Sequence, residues 1–294
     1  MYRGTFTALV TPFLEDGSID EFSFRKLVDF QFDNGVTGIV PVGTTGESPT
    51  LSYEEHKRVI RIAVEAAKGR GPVIGGTGAN STDEAIELTA SAEAAGCEAV
   101  LQVAPYYNKP SPEGLFQHFK AVADSTQCKV ILYSVPGRCG IDIPVEVTVR
   151  LAAACANVVC IKEAGGNVER VNQLMAAGLP DHFTILSGDD SLTLPFISVG
   201  ASGVISVASN VIPRQMSDLV KAALADDLSS ARALHRQYYP LLSTLMKLDS
   251  NPVPIKAAMA LAGHMAGGLR LPMIGMDRIK VDELRAVMNG LNVL

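Results

Sequence analysis

The chain has 294 residues, of which 47% are hydrophobic and 19% are charged, and its formal net charge is −6. This composition is typical of a globular protein with a large core and excludes a disordered chain. The acidic balance argues against a nucleic-acid-binding protein, which would carry a basic stripe, but not against small anionic substrates, because local charge in a cleft decides their binding.

Short apolar, β-branched segments alternate with longer amphipathic segments in chain order. The predicted strands are Phe6–Val10, Gly38–Val42, Val73–Gly76, Ala99–Ala104, Lys129–Ser134, Val158–Lys162, Thr184–Ser187 and Gly203–Val207. The helical periodicity between them is clear in Glu54–Lys68, Thr82–Ala95, Pro112–Ser125, Pro144–Ala154 and Val168–Ala177. Ser52 before Glu55, and Ser81 before Glu84, predict capping boxes at two helix starts.

The strand segments are continuous apolar runs, as expected of parallel strands buried on both faces. Eight β-then-α units favour an α/β fold of the (β/α)8 TIM-barrel type over an open doubly wound sheet. Residues 1–225 are therefore predicted to form a catalytic barrel. Residues 226–294 carry no further strand signal, and Asp227–Lys247, Pro254–Met265 and Val281–Asn289 predict a C-terminal extension of three helices packed on that barrel.

The cysteine pattern and the hydropathy predict a soluble cytoplasmic protein that does not bind a membrane. The five cysteines are odd in number and lack CxxC spacing, so we expect reduced thiols. The apolar stretch Thr5–Val10 is too short for a signal-peptide core, and no apolar run reaches the roughly 18 residues of a membrane span.

Unusual polar residues follow the predicted strands, at the rim where TIM barrels carry their active sites. The segments are Gly43–Glu47, Gly76–Asn80, Pro105–Asn108, Pro136–Arg138, Ser187–Asp190 and Ser206–Asn210, together with Lys162 at the end of the sixth strand. The five histidines are scattered and none lies on these loops, so no metal site is expected.

Lys162 is the most informative residue, because it ends the apolar strand Val158–Lys162. Lysine is seldom buried without compensation. Burial favours the neutral amine, which condenses with a carbonyl carbon to give a Schiff base. The alternative is a lysine that extends past the strand end to water.

The other rim residues also have two interpretations. The loop Gly43–Glu47 is either a simple turn or a set of backbone N–H groups that hold a carboxylate. Tyr107 and Tyr133 are either packing aromatics or proton shuttles beside the amine. Arg138 forms either a surface ion pair or a fork for a substrate carboxylate.

Taken together, these motifs resemble the pyruvate-dependent class I aldolase family, which includes N-acetylneuraminate lyase. The resemblance covers essentially the whole chain and is carried by Gly4–Phe13, Gly43–Glu47, Tyr106–Asn108, Ile161–Ala164 and Leu269–Pro272. It implies that Lys162 forms the imine with pyruvate and that no separate cofactor is needed. It also implies that Tyr133 is the acid and base, linked through Thr44 to Tyr107, which reaches across a dimer interface. A homo-oligomer, a dimer of dimers, is therefore expected.

The resemblance further implies that Thr45 holds the pyruvate carboxylate and that Gly188 and Ile205 line the pocket. Arg138 would bind the carboxylate of a second substrate. The segment Val135–Arg138 favours members that condense pyruvate with L-aspartate 4-semialdehyde, the first committed step of diaminopimelate and lysine biosynthesis. The alternatives are members that cleave sialic or 2-keto-3-deoxy sugar acids, and a non-catalytic barrel that binds a keto acid.

A feedback site for L-lysine is a further implication of the resemblance. The residues that match it are Ser48, His56, Asn80, Glu84 and Tyr106. The alternative is that they are ordinary rim and helix residues, and Pro49 and Tyr53 depart from the commonest sensitive pattern. Ser134, Cys139 and Gly165 are departures close to the expected active site, and Cys139 is expected to pack as a small apolar residue.

Overall fold

The computed structural model describes all residues from 1 to 294 and contains eight strands, nearly all of whose residues are buried. The strands are β1 Gly4–Ala8, β2 Gly38–Val40, β3 Ile74–Gly76, β4 Ala99–Val103, β5 Lys129–Ser134, β6 Val158–Glu163, β7 Thr184–Ser187 and β8 Gly203–Ser206.

All neighbouring strands are parallel, in the order β2-β1-β8-β7-β6-β5-β4-β3. A parallel bridge between Ile39 and Val73 joins the two ends of this order. The Gly76 N–H also donates to the Pro41 carbonyl at 3.0 Å. The sheet is thus closed into the predicted (β/α)8 barrel, because its first and last strands meet.

Helices follow the strands around the barrel and continue beyond it. They are α1 Glu21–Asp33, α2 Tyr53–Ala67, α3 Thr82–Ala95, α4 Pro112–Asp124, α5 Pro136–Cys139, α6 Val145–Ala154, α7 Val168–Ala176, α8 Thr193–Ser198, α9 Pro213–Leu224, α10 Leu228–Lys247, α11 Val253–Leu261 and α12 Arg278–Gly290. The three helices predicted after the barrel are confirmed as α10, α11 and α12.

The C-terminal helices share the core of the barrel. One cluster of 75 buried residues includes Phe6 and Ile205 of the barrel and Leu241, Met259 and Leu284 of the three C-terminal helices. Burial of apolar surface is the main favourable term in folding. The C-terminal helices therefore gain stability from the barrel instead of folding around a core of their own.

Two local predictions need correction. The capping box at Ser52 is present, but Ser81 makes no side-chain cap bond, and Glu84 lines a cavity. The first strand was predicted as Phe6–Val10 and ends at Ala8. The reason is that the Val10 N–H donates to the Asn210 side chain at 3.1 Å and not to a neighbouring strand.

No helix combines the length with the apolar composition that crossing a membrane requires.

Candidate active site

A cavity of about 570 Å³ opens at the carboxyl ends of the strands. Five of the predicted site side chains line it, namely Thr44, Thr45, Tyr133, Arg138 and Lys162. The barrel topology produces this cluster, since parallel strands end at the same rim. The sequence prediction of one rim site is therefore matched by the geometry.

Lys162 lies inside this cavity with only 5% of its surface exposed. It is paired in register with Tyr133 on the neighbouring strand, and its Nζ is 4.3 Å from the centre of the Tyr133 ring. The Lys162 amine makes no ion pair and no hydrogen bond within the chain. The amine is therefore left accessible to a molecule in the cavity, as a nucleophile must be.

Gly188 makes room for Lys162. A Cβ at this position would lie 2.5 Å from the Ala164 Cβ and 3.0 Å from the Lys162 Cε. Next to it, Asp189 lines the cavity, and burial raises the pKa of its carboxyl, while the charge of Lys162 opposes that rise. The loop after β7 thus gives space to the amine and places one half-buried carboxyl beside it.

The loop Gly43–Glu47 carries Thr44 and Thr45 between two residues in the left-handed region, Val42 at φ 57° and Glu47 at φ 56°. Gly46 closes the turn, with its N–H donating to the Gly43 carbonyl at 3.1 Å. A Cβ at Gly46 would lie 2.8 Å from the Val42 nitrogen, so the turn requires glycine. Thr44 and Thr45 of this turn line the cavity.

Asn251 is a site residue that the sequence analysis missed. It comes from the segment between α10 and α11, and its Nδ2 donates to the Thr45 Oγ1 at 3.1 Å. Its backbone carbonyl accepts from the Arg138 guanidinium at 3.0 Å. Asn251 is buried and joins two predicted substrate-binding residues. Only a long-range contact reveals it, and no local pattern in Asn251–Pro254 points to the barrel rim.

Two predicted site residues lie outside the cavity lining. Tyr107 has a left-handed backbone, with φ at 72°, and 91% of its surface is exposed. Ile205 is fully buried on β8, where it pairs with Phe6. Within one chain the structure therefore does not bring the Tyr107 phenol to Thr44, nor the Ile205 side chain to the cavity.

A second cavity of about 500 Å³ adjoins the first and shares Thr44, Tyr133 and Arg138 with it. Four of the five residues predicted for a feedback site line this second cavity, namely Ser48, His56, Glu84 and Tyr106. The fifth lies beside them, because the Asn80 Nδ2 donates to the Tyr106 carbonyl at 3.2 Å.

The second cavity carries the acidic side chain of Glu84, the buried imidazole of His56 and the partly exposed phenol of Tyr106. Burial lowers the pKa of His56, whose Nε2 lies 2.8 Å from the Gly76 carbonyl. Burial and the charge of Glu84 raise the pKa of Tyr106. A neutral imidazole and a neutral phenol around one carboxylate suit a ligand that carries a positive charge.

The three departures have local structural explanations. A Cβ at Gly165 would lie 2.7 Å from the Glu163 Oε1, which accepts the Gly165 N–H at 2.9 Å. The Ser134 Oγ accepts the Ile143 N–H at 3.3 Å. Cys139 is 3% exposed, and burial raises the pKa of its thiol to about 11. A neutral buried thiol agrees with the predicted packing role.

The family model for the dihydrodipicolinate synthetase family matches residues 1–290. The chain belongs to this family. It is 47% identical to a 4-hydroxy-tetrahydrodipicolinate synthase of Syntrophus aciditrophicus over 294 residues, which cover 100% of both chains.

Two solved relatives in this family contain small molecules. The chloride-inhibited dihydrodipicolinate synthase from Acinetobacter baumannii, in complex with pyruvate, matches at a TM-score of 0.97 and 42% identity, over 100% of both chains. The enzyme from Cyanidioschyzon merolae with lysine bound matches at a TM-score of 0.96 and 38% identity, over 100% of this chain and 99% of the other. Members of the family thus bind the keto acid and the amino acid that the sequence analysis named.

Proposed function

We propose that the chain condenses pyruvate with L-aspartate 4-semialdehyde, the reaction of a 4-hydroxy-tetrahydrodipicolinate synthase. This reaction is the first committed step of diaminopimelate and lysine biosynthesis. The observation that carries the proposal is the buried Lys162 amine, which has no partner in the chain and lies beside the Tyr133 phenol in a cavity open to small molecules. Family membership over nearly the whole chain supports it.

The first step joins Lys162 to pyruvate. The amine attacks the keto carbon to give a carbinolamine, and loss of water then leaves the imine. Tyr133 donates the proton that lets water leave, because its ring is the nearest phenol to the amine. Thr44 lines the same cavity as Tyr133 and passes the proton onward toward Tyr107 of a second subunit.

The carboxylates of the two substrates have separate partners. The left-handed turn presents the Thr45 hydroxyl and N–H groups to the pyruvate carboxylate. Arg138 holds the carboxylate of the semialdehyde, since a planar guanidinium matches a carboxylate with two parallel hydrogen bonds. Gly188 leaves space for the substrate carbons next to the Lys162 side chain. The Ile205 side chain is buried in the core, so this residue supports the pocket only by holding strand β8 in place.

Carbon–carbon bond formation follows from the imine. The pyruvate imine loses a methyl proton and becomes an enamine, whose methylene carbon attacks the aldehyde carbon of the second substrate. The aldehyde oxygen takes up a proton and becomes the 4-hydroxyl group. The substrate's own amine then attacks the imine carbon, closes the ring and releases the Lys162 amine. Lys162 is thereby regenerated without any other cofactor.

An assembly of two or more subunits would explain why Tyr107 is exposed in the single chain. Tyr107 is not part of the cavity lining. A second copy that packs on this face would bury the phenol and complete the proton path. We place the working enzyme as a dimer of dimers in the cytoplasm, where the five free cysteines stay reduced.

L-Lysine is the proposed ligand of the second cavity. Glu84 offers a carboxylate to an ammonium group, while Ser48, His56 and Tyr106 offer neutral polar contacts. Thr44, Tyr133 and Arg138 line both cavities, so a ligand in the second cavity would contact residues of the active site. Initial rates at millimolar lysine test the idea, and an unchanged rate would remove it.

Borohydride reduction in the presence of pyruvate tests the main proposal. We expect a pyruvyl mass on the peptide that contains Lys162, measured by mass spectrometry, and turnover of pyruvate only when aspartate semialdehyde is added. A non-catalytic barrel predicts no adduct. A sugar-acid lyase predicts the adduct together with cleavage of a sialic or 2-keto-3-deoxy sugar acid, which a coupled assay detects.

A further inference from the structure

A second buried lysine contacts the loop that carries Thr44 and Thr45. Lys256 of α11 is fully buried and forms an ion pair with Glu47, of which 2% is exposed. The Lys256 Nζ also donates to the Thr11 carbonyl at 2.8 Å and lies 4.1 Å from the centre of the Phe13 ring. This ammonium is surrounded by partners, unlike the amine of Lys162.

The C-terminal extension holds Glu47 at a second point. The other carboxylate oxygen, Oε2, accepts the backbone N–H of Arg270 at 3.2 Å. The Arg270 guanidinium in turn pairs with Glu55 at 2.6 Å and donates to the Gly17 carbonyl at 2.7 Å. Both oxygens of the Glu47 carboxylate are therefore bound by residues that follow the barrel in sequence.

The pair acts directly on the catalytic turn. Glu47 is in the left-handed region, and its N–H donates to the Thr44 carbonyl at 3.2 Å. Thr11, whose carbonyl binds Lys256, donates its own hydroxyl to the Gly46 carbonyl at 2.7 Å. Lys256 thus ties together the two segments that enclose the turn, while no atom of the pair lines the cavity.

A fully buried ion pair is a poor way to gain stability. Its desolvation cost is large, and well-packed apolar residues of the same volume are often as stable or more so. What such a pair does supply is fixed geometry, because both charges must stay where they are satisfied. The pair is therefore expected to fix the geometry of the turn more than to stabilise the fold.

We propose that Lys256 and Glu47 are positioning residues that hold the Gly43–Glu47 turn in its pyruvate-binding shape. The C-terminal extension, predicted as residues 226–294, is then part of the active-site structure through Lys256 as well as Asn251. The inference rests on the proposed function, since it assumes that this turn binds the pyruvate carboxylate. Loss of the ion pair should therefore weaken the binding of pyruvate and leave the binding of aspartate semialdehyde nearly unchanged.

The test is the pyruvate concentration that gives half-maximal borohydride trapping on Lys162. In Lys256→Met we expect this concentration to rise about tenfold, because a misplaced binding group costs affinity steeply. The KM for aspartate semialdehyde should change less than about threefold. Glu47→Gln is the second variant. Glu47→Gln keeps the side-chain volume and removes the charge, so it can replace Lys256→Met in this test if Lys256→Met does not fold.

Leu284→Ala is the matched control. Leu284 lies on α12, is fully buried and is not among the residues around the turn. This variant loosens the extension without touching the ion pair, so its Tm should fall while half-maximal trapping stays within about twofold of the wild type. A rise equal to that in Lys256→Met would show a structural role only and overturn the inference.

The inference and the proposed function fail in different ways. An unchanged pyruvate dependence in folded Lys256→Met and Glu47→Gln overturns the inference alone, provided that the wild type forms the adduct. Absence of the adduct in the wild type itself overturns the proposed function. Pairing Lys256→Met with Glu47→Gln adds one more readout. For a positioning pair, the double variant recovers Tm but not pyruvate affinity.

Discussion

Two buried lysines in this chain have opposite surroundings. Lys162 is 5% exposed and has no ionic or hydrogen-bonding partner in the chain, whereas Lys256 is 0% exposed and is bound by the Glu47 carboxylate and the Thr11 carbonyl. Both lie against an aromatic ring, Lys162 at 4.3 Å from Tyr133 and Lys256 at 4.1 Å from Phe13. The two lysines are alike in burial and in their neighbouring ring. They differ in whether the amine has a hydrogen-bonding partner, and we attribute their different roles to that difference.

The difference shows how a fold assigns two tasks to one residue type. A lysine with a carboxylate beside it remains an ion and acts as a fixed point of attachment. A lysine that faces a cavity and has no hydrogen-bonding partner leaves its amine accessible to a carbonyl carbon. Substitutions at either lysine, and at Arg138 and Asn251, test this difference.

The largest expected effect is the loss of turnover in Lys162→Met. Removal of the nucleophile should lower kcat by about 10⁴-fold or more and abolish the borohydride-trapped adduct. The Tm should not fall, because an apolar side chain replaces a buried amine that has no partner. Steady-state kinetics and calorimetry measure the two effects, and a drop in Tm similar to that of Lys256→Met would contradict the contrast between the lysines.

The second effect concerns Arg138, which lines both cavities. Arg138→Ala should lower kcat/KM for aspartate semialdehyde by about 10²-fold, since a charge-assisted double hydrogen bond is lost. Half-maximal trapping by pyruvate should change less than about threefold. Arg138→Lys is the control, because it keeps the charge without the planar fork and should give an intermediate loss. An equal loss for both substrates would contradict separate carboxylate sites.

Substitution of Asn251 should give a smaller effect, which falls on pyruvate and not on aspartate semialdehyde. Asn251→Ala removes the amide that donates to Thr45 and keeps the backbone carbonyl that accepts from Arg138. The pyruvate concentration for half-maximal trapping should rise about tenfold, with little change for the semialdehyde. Asn251→Asp should be worse, because it places a carboxylate near the bound carboxylate of pyruvate. A defect confined to the semialdehyde would contradict this assignment.

The barrel and its rim were predictable from the sequence, because their signals are local. The apolar runs have the length and continuity of strands buried on both faces, and Lys162 ends one of them. The strand bounds agree with the structure to within two residues, and eight units imply a closed barrel. Where a strand bound was wrong, as at the end of β1, a long-range bond from Val10 to Asn210 replaced the expected strand pairing.

The contribution of the C-terminal extension to the site was not predictable from local signals. Asn251 and Thr45 are 206 residues apart in sequence, and Lys256 and Glu47 are 209 residues apart. Nothing in the segment around Lys256 indicates that its ammonium is buried, since the same apolar pattern fits a helix whose lysine reaches water. The long-range partner has to be seen before the role can be inferred.

The smallest expected effect is a pH dependence that comes from Lys256. Burial lowers the pKa of Lys256 to about 8, with the Glu47 carboxylate opposing the shift and Arg270 adding to it. Between pH 8 and its ordinary value of 10.5, the unfolded chain holds a proton that the folded chain has lost. In that window this group therefore adds stability as pH rises, although the ion pair itself is losing its charge.

Activity should respond in the opposite direction from stability. As Lys256 loses its charge above pH 8, the turn loosens and the wild-type pyruvate concentration for half-maximal trapping rises about twofold to threefold. Any pH effect that the wild type and Lys256→Met share cancels in the ratio of their half-maximal concentrations, so this ratio isolates the contribution of Lys256. That ratio should move toward one between pH 7 and pH 9, because the wild type comes to resemble the variant. A ratio that stays constant over this range would mean that the charge on Lys256 does not hold the turn.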